Sequence, residues 1–245
     1  MRRMAGIMVA AVAAVATVSG SSVAGADDGP SRSDIESAST AIPAAPGANI
    51  HDESTRYRRT GAHIVRADSV ASATSNCDGC FASAKTLQIV YAQNARTFTA
   101  NNVATAWSTC TNCHSEAMSV QVVIARRAGI VTAGNRSLSF NAACVGCQTK
   151  AAAIQIVLVV PSHREPSQTA LVRSEELRDQ LAAQLHAQLG PPTGVAQPAN
   201  PNGQAGPTSP PVPPEMAKLT EQIESLLAHD LRASSARHDI KLHTD

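Results

Sequence analysis

Three stretches of the chain alternate bulky and small side chains with period two. Ala84-Lys-Thr-Leu-Gln-Ile-Val-Tyr91 sets Leu87, Ile89 and Tyr91 on one side and Ala84, Thr86, Gln88 and Val90 on the other. Ala117 to Ile124 and Ala151 to Leu158 repeat that layout, with Val120, Val122 and Ile124, then Ile154, Ile156 and Leu158, at the bulky positions. Successive side chains of a strand point to opposite faces, so this alternation predicts strands with the bulky stripe as core. Weaker alternation over Val70 to Ser75, Val103 to Trp107 and Arg136 to Phe140 predicts a second strand upstream of each.

Between the two strands of each unit stands a cysteine pair: Cys77-Asp-Gly-Cys80, Cys110-Thr-Asn-Cys113 and Cys144-Val-Gly-Cys147. The interval from Cys77 to Cys110 is matched, to within one position, by that from Cys110 to Cys144. Gln88, Gln121 and Gln155 follow the first cysteine of their own pair at one constant distance. Agreement of all these registers defines an internal repeat. Asp78-Gly79 suits a tight turn, because both residues tolerate positive φ. The predicted unit is therefore strand, Cys-x-x-Cys turn, strand, and three units make about six strands. The expected class is α+β: a mainly β repeat domain of antiparallel hairpins or, alternatively, a solenoid whose equivalent strands stack in parallel with the three Gln side chains as a hydrogen-bonded ladder. Both arrangements have the same period. Neither strand face carries the charges of a solvated surface, so a cover is expected, from the carboxyl-terminal segment or from another copy.

The period changes after Pro161. Leu177, Leu181, Leu185 and Leu189 recur every fourth position, predicting an amphipathic helix over about 168 to 189. Residues 190–214 hold nine of the 14 prolines and read as a linker. Met216, Leu219, Ile223, Leu226, Leu227 and Leu231 predict a second amphipathic helix within 215–245. At the other end, Arg2 and Arg3, an apolar run from Met4 to Val18 and Ala24-Gly25-Ala26 have the three-part layout of a secretory signal peptide over 1–26. Residues 27–61 show no sustained period and are expected to be disordered, which leaves 62–160 as the repeat domain and 161–189 as its first helical appendage.

Composition narrows the function classes. Aromatics are 2% of the residues, so the core must be built from Ala, Val, Ile and Leu. Removing Arg2 and Arg3 from the 20 bases leaves 18 against 19 acids, a balance that offers no general attraction for nucleic acid. The Met4 to Val18 run is shorter than the roughly 20 residues of a spanning helix, and no later stretch reaches that length, so no transmembrane span is expected in the mature chain.

The six cysteines, Cys77, Cys80, Cys110, Cys113, Cys144 and Cys147, are the candidate disulfide residues. An exported chain meets an oxidising compartment, and their number is even. Bridges within pairs and between repeats are both open. Zinc held by two Cys-x-x-Cys turns is a second reading, with one pair left over. Thiol-disulfide exchange is a third, although a low-pKa cysteine usually opens a helix and these pairs precede strands. Cys110-Thr-Asn-Cys113-His114 also matches the attachment motif of c-type haem, but the equivalents of His114 are Phe81 and Gln148. The His residues are scattered, His238 and His243 are expected in solvent, and no nucleophile elbow, phosphate loop or dinucleotide fingerprint occurs. The three Gln are read as structural hydrogen-bonders.

The repeated Cys-x-x-Cys followed by Gln-Ile-Val or Gln-Val-Val, behind an Ala-rich leader, resembles uncharacterised exported proteins of actinobacteria. It is also similar to repeats that form tails of membrane zinc metallopeptidase-like proteins. The resemblance covers about residues 66–160. It implies a secreted or envelope accessory module and carries over no catalytic residue, since the peptidase zinc motif is missing here. The expectation is a secreted, non-enzymatic β-repeat interaction module without cofactor, whose partner is an unknown protein or envelope component. The alternative is an exported redox protein, with haem at Cys110, Cys113 and His114 or with exchanging thiols.

Overall fold

Each Cys-x-x-Cys turn carries the chain from one β-sheet to another stacked on it. The computed structural model describes residues 31–126, 129–188 and 210–245. β1 (Arg32–Ala41), β3 (Ile64–Ser75), β5 (Thr97–Ser108) and β7 (Ile130–Asn141) form a four-stranded parallel sheet in that order. β2 (Asn49–Thr60), β4 (Phe81–Ala92), β6 (His114–Arg126) and β8 (Gln148–Val160) form the second sheet, also parallel. β9 (Ser235–Thr244) closes the second sheet antiparallel to β8. The molecule is a β-solenoid of four coils, with α1 (Gln168–Ala187) and α2 (Pro214–Leu231) over the outer face of the second sheet.

The strand-turn-strand unit is thus present, but antiparallel hairpins and a total of about six strands are not. There are nine strands among the described residues, and all but β9 pair in parallel. The turns stack as well: Gly47 N donates to Asp78 O (2.9 Å), Gly79 N to Thr111 O (2.9 Å) and Asn112 N to Val145 O (2.8 Å). Gly47, Gly79, Asn112 and Gly146 all take positive φ at the same turn position, a conformation open mainly to Gly and Asn. A turn whose polar groups bond the next turn up the stack cannot also close a hairpin on its own strands.

The first coil occupies 32–60, where the absence of periodicity predicts disorder. Its strands pair in continuous register with those of the second coil, which places Ala45 and Ala48 at the cysteine positions and Arg56 opposite Gln88. Both markers of the repeat are substituted, so the coil is invisible to a search by spacing. The longer interval before the third pair reflects a single inserted residue ahead of Cys144, where Ala143 takes a φ of 50°. Where one coil passes to the next, a Cβ on Gly129 would lie 2.9 Å from Arg96 O, so the close approach there requires Gly.

Both faces of β4, β6 and β8 are buried. The bulky stripe, Leu87, Ile89, Val120, Val122, Ile124, Ile154, Ile156 and Leu158, packs under Leu177, Leu181 and Leu185 of α1 and Met216, Ile223 and Leu227 of α2. The small face looks into the space between the sheets. One end of that space is filled by alanines of both sheets and the other by Val65, Phe98, Val90, Val123 and Val157. Small side chains allow the sheets to sit close, which explains how a chain so poor in aromatics builds a dense core. Polar groups in this layer pair along the stack. Gln121 Nε2 donates to Gln88 Oε1 (2.8 Å) and Gln155 Nε2 to Gln121 Oε1 (2.7 Å), while Asn102 Nδ2 donates to Asn135 Oδ1 (2.9 Å).

The two helices stand where periodicity predicts them. Ser167 caps α1 by accepting from Ala170 N, and Pro214 opens α2. The tail after α2 becomes β9, a strand that no periodicity in the sequence predicts. His243 is 5% exposed and accepts from Ser139 N, so it is not the solvated residue expected, whereas His238 is exposed and bonds Glu224. The signal-peptide segment 1–26 lies outside the described residues, as does the linker up to residue 209. Among the described residues no helix is long and apolar enough to cross a membrane.

Candidate interaction face and the cysteine corner

The cysteine turns form one corner of the solenoid. Each pair is bonded to itself, Cys77 to Cys80, Cys110 to Cys113 and Cys144 to Cys147, with Cα separations of 5.5, 5.9 and 5.7 Å. The in-line stack tucks each bridge against the coil before it: Cys113 Sγ lies 3.2 Å from Cys77 O, and Cys144 and Cys147 Sγ lie 2.9 and 2.8 Å from Cys110 O. Cys80 and Cys113 are fully buried. Cys110 is buried as well, whereas Cys77, Cys144 and Cys147 are half-buried. Among the described residues no three His, Cys, Asp or Glu side chains are grouped to hold a metal ion.

His114 points from the start of β6 onto the helix-covered face, between the in-register Phe81 and Gln148. Here the apolar stripe ends and a cleft of about 430 Å³ opens beside α1, lined by His51, Phe81, Ser83, Lys85, Glu116 and His186 among others. Phe81 lies between His51 and His186, at centroid distances of 5.3 and 5.7 Å. His186 Nδ1 is 2.7 Å from Glu116 Oε1. Burial pushes the Glu116 carboxyl up, with His186 and then Lys150 opposing it. Lys150 is 7% exposed, its Nζ has no hydrogen-bond partner, and burial brings it down to about 8 against the pull of Glu116. Burial, and then His186, also lower His114. Spacing singles out His114 alone. Glu116 and His186 meet only because α1 folds back over β6, a contact between distant segments that no local motif announces.

The outer face of the first sheet has no cover among the described residues. Its charged end is tied internally: Arg66 and Asp68 pair at 2.7 Å, and Asn101 Nδ2 donates to Asp68 Oδ1 at 2.8 Å. Towards β7 and the cysteine corner it turns apolar. Trp107, the only tryptophan of the chain, is 40% exposed and Phe140 44%, with ring centroids 5.0 Å apart on adjacent strands. Leu138 and Val70 are exposed on the same face, and Val103, Thr105, Arg136 and Leu138 line a groove of about 560 Å³ that ends at Lys241. These large apolar groups are gathered on one exposed sheet face. In the sequence these residues sit in the weakly alternating strands, which hid their common outward parity.

Comparison with protein-family models, with curated proteins and with solved structures finds no match to this chain, so the solenoid, its closed cysteine corner and its uncovered sheet stand as the grounds for a functional reading.

Proposed function

We propose that this is an exported, non-enzymatic interaction module in which the disulfide-pinned solenoid serves as a rigid frame and the uncovered first sheet binds an envelope or extracellular partner. The observation that carries the reading is the uneven treatment of the two outer faces. Two helices and a continuous aliphatic core seal the second sheet, whereas the first leaves Trp107, Phe140, Leu138 and Val70 in solvent. Exposed aromatics on a rigid element supply large contact area at small entropic cost. The closed disulfides support a structural role for the cysteines in an oxidising compartment. The test compares wild type with Trp107→Ala/Phe140→Ala for cosedimentation with isolated cell envelopes and with secreted material. The double variant should keep its circular dichroism and melting temperature and lose binding at least tenfold. Undiminished binding by a folded double variant would overturn the assignment of this face.

A further inference from the structure

The two ends of the solenoid differ in the side chains that their edge strands carry. At the carboxyl end β9 pairs with β8, and it and the following Asp245 are hydrogen-bonded to the edge of β7. His243 Nδ1 accepts from Ser139 N (3.0 Å), Asp245 Oδ2 accepts from Asn141 N (2.7 Å), and Asn135 Nδ2 donates to Asp239 O (2.9 Å). As β7 and β9 do at the carboxyl end, β1 and β2 at the amino end each have a strand on one side only among the described residues. Asp52 Oδ2 accepts from Thr40 N (2.6 Å) there, joining the two open strands to each other. The inward row of β2 reads Ile50, Asp52, Ser54, Arg56 and Arg58, in register with Ala82, Ala84, Thr86, Gln88 and Val90 of the next coil. Ile50 is 40% exposed, although its in-register neighbour Ala82 is fully buried.

We propose that a second copy of this chain docks on the open amino end, extending both sheets by antiparallel pairing of β2 with β2 and β1 with β1 about a two-fold axis. Open strand edges are the usual template for such addition, and a two-fold interface requires a self-complementary patch. β2 is self-complementary in charge: its inward row is acidic at Asp52 and basic at Arg56 and Arg58. The axis that satisfies both strands passes through Ser37 and Ser54, which face each other across the sandwich with their Oγ atoms 3.0 Å apart. About Ser54, Asp52 of each copy stands opposite Arg56 of the other and diagonal to Arg58, whose aliphatic stem covers the exposed Ile50. About Ser37, Glu36 stands opposite Ala38 and Asp34 opposite Thr40, so no like charges face each other directly. Charges serving only to blunt an edge have no need to carry opposite signs at its two ends. This interface is separate from the uncovered sheet face.

Sedimentation equilibrium of the purified chain at tens of micromolar tests it. Wild type should be dimeric. Asp52→Arg and Arg56→Glu/Arg58→Glu should each weaken self-association at least tenfold by setting like charges opposite one another, while melting as folded proteins. An equimolar mixture of the two variants should dimerise again, because acid then meets base at both ends. A monomeric wild type, as when the preceding residues of the chain itself cover the edge, would overturn the proposal. So would variants that stay dimeric, which would move the contact to another surface, or a mixture that stays monomeric.

Discussion

Thr86 shows how far a single side chain depends on the second sheet. On its own strand it lies on the small-residue face, and the sequence leaves that face partly open, so Thr86→Asp reads as milder than Ile156→Asp. In the fold Thr86 is fully buried, with Oγ1 2.7 Å from Ser119 Oγ and 3.1 Å from Ser69 Oγ. A carboxylate there has no cation to pair with, as at Ile156 among the aliphatics under the helices. Both variants should fail to accumulate as folded protein, whereas Thr86→Ser, which keeps the hydroxyl, should melt near wild type. Secretion yield and thermal melting measure this, and a well-folded Thr86→Asp would contradict the packing between the sheets. Lys150 gives the pH-dependent counterpart. Its folded-state pKa is brought to about 8, below the ordinary 10.5. Below pH 8 both states hold the proton and the burial cost is present in full. Between about 8 and 10.5 the unfolded chain binds more protons than the folded one, so stability rises with pH. Lys150→Met should therefore melt higher than wild type at pH 7, and the advantage should shrink towards pH 10. Parallel melting curves for the two proteins across that range would contradict the burial of this ammonium.

At the scale of elements, the cysteine turn is a local clamp. A bridge between repeats would close a long loop and contribute on the order of 2 to 5 kcal/mol, but each observed bridge spans a sequence separation of 3. Chain-entropy reasoning gives so short a loop about 2 kcal/mol or less. Cys77→Ser/Cys80→Ser should therefore cost no more than about 2 kcal/mol in denaturant unfolding, and the unreduced protein should yield only within-pair bridges by peptide mapping. A larger loss, or bridges between repeats, would contradict the closed turns. The helices behave as periodicity predicts because the leucines of α1 are a property of α1 alone. What they cover is set elsewhere, by the bulky parity of β4, β6 and β8.

Across the whole molecule the coils sort into a side covered by helices and a side uncovered among the described residues. The helices cover the outer face of the second sheet, and among the described residues the outer face of the first sheet and the strand edges of the amino end are left open. The proposed binding face and the proposed two-fold interface occupy these two openings. They lie on different surfaces, so a dimer formed through β2 would present two copies of the Trp107 and Phe140 face to a partner. Two such faces held on one rigid frame would strengthen attachment to a repetitive surface.

Period, turn position and helix faces were legible in the sequence because they are local: alternation along a strand, a Cys-x-x-Cys spacing and a leucine at every fourth position need no knowledge of what lies opposite. The Gln ladder was legible as one of two options, since equal spacing brings Gln88, Gln121 and Gln155 into line only if equivalent strands stack. Tertiary structure alone decided between hairpin and solenoid, because that choice rests on hydrogen bonds between turns a full coil apart in the chain, such as Gly79 N to Thr111 O. It also revealed the first coil, whose Ala45, Ala48 and Arg56 carry neither marker of the repeat but whose backbone bonds to the second coil regardless of side chain. The same holds for the site. The cysteines announced themselves by spacing, whereas the Glu116–His186 cleft and the Trp107–Phe140 face exist only where distant segments are brought side by side.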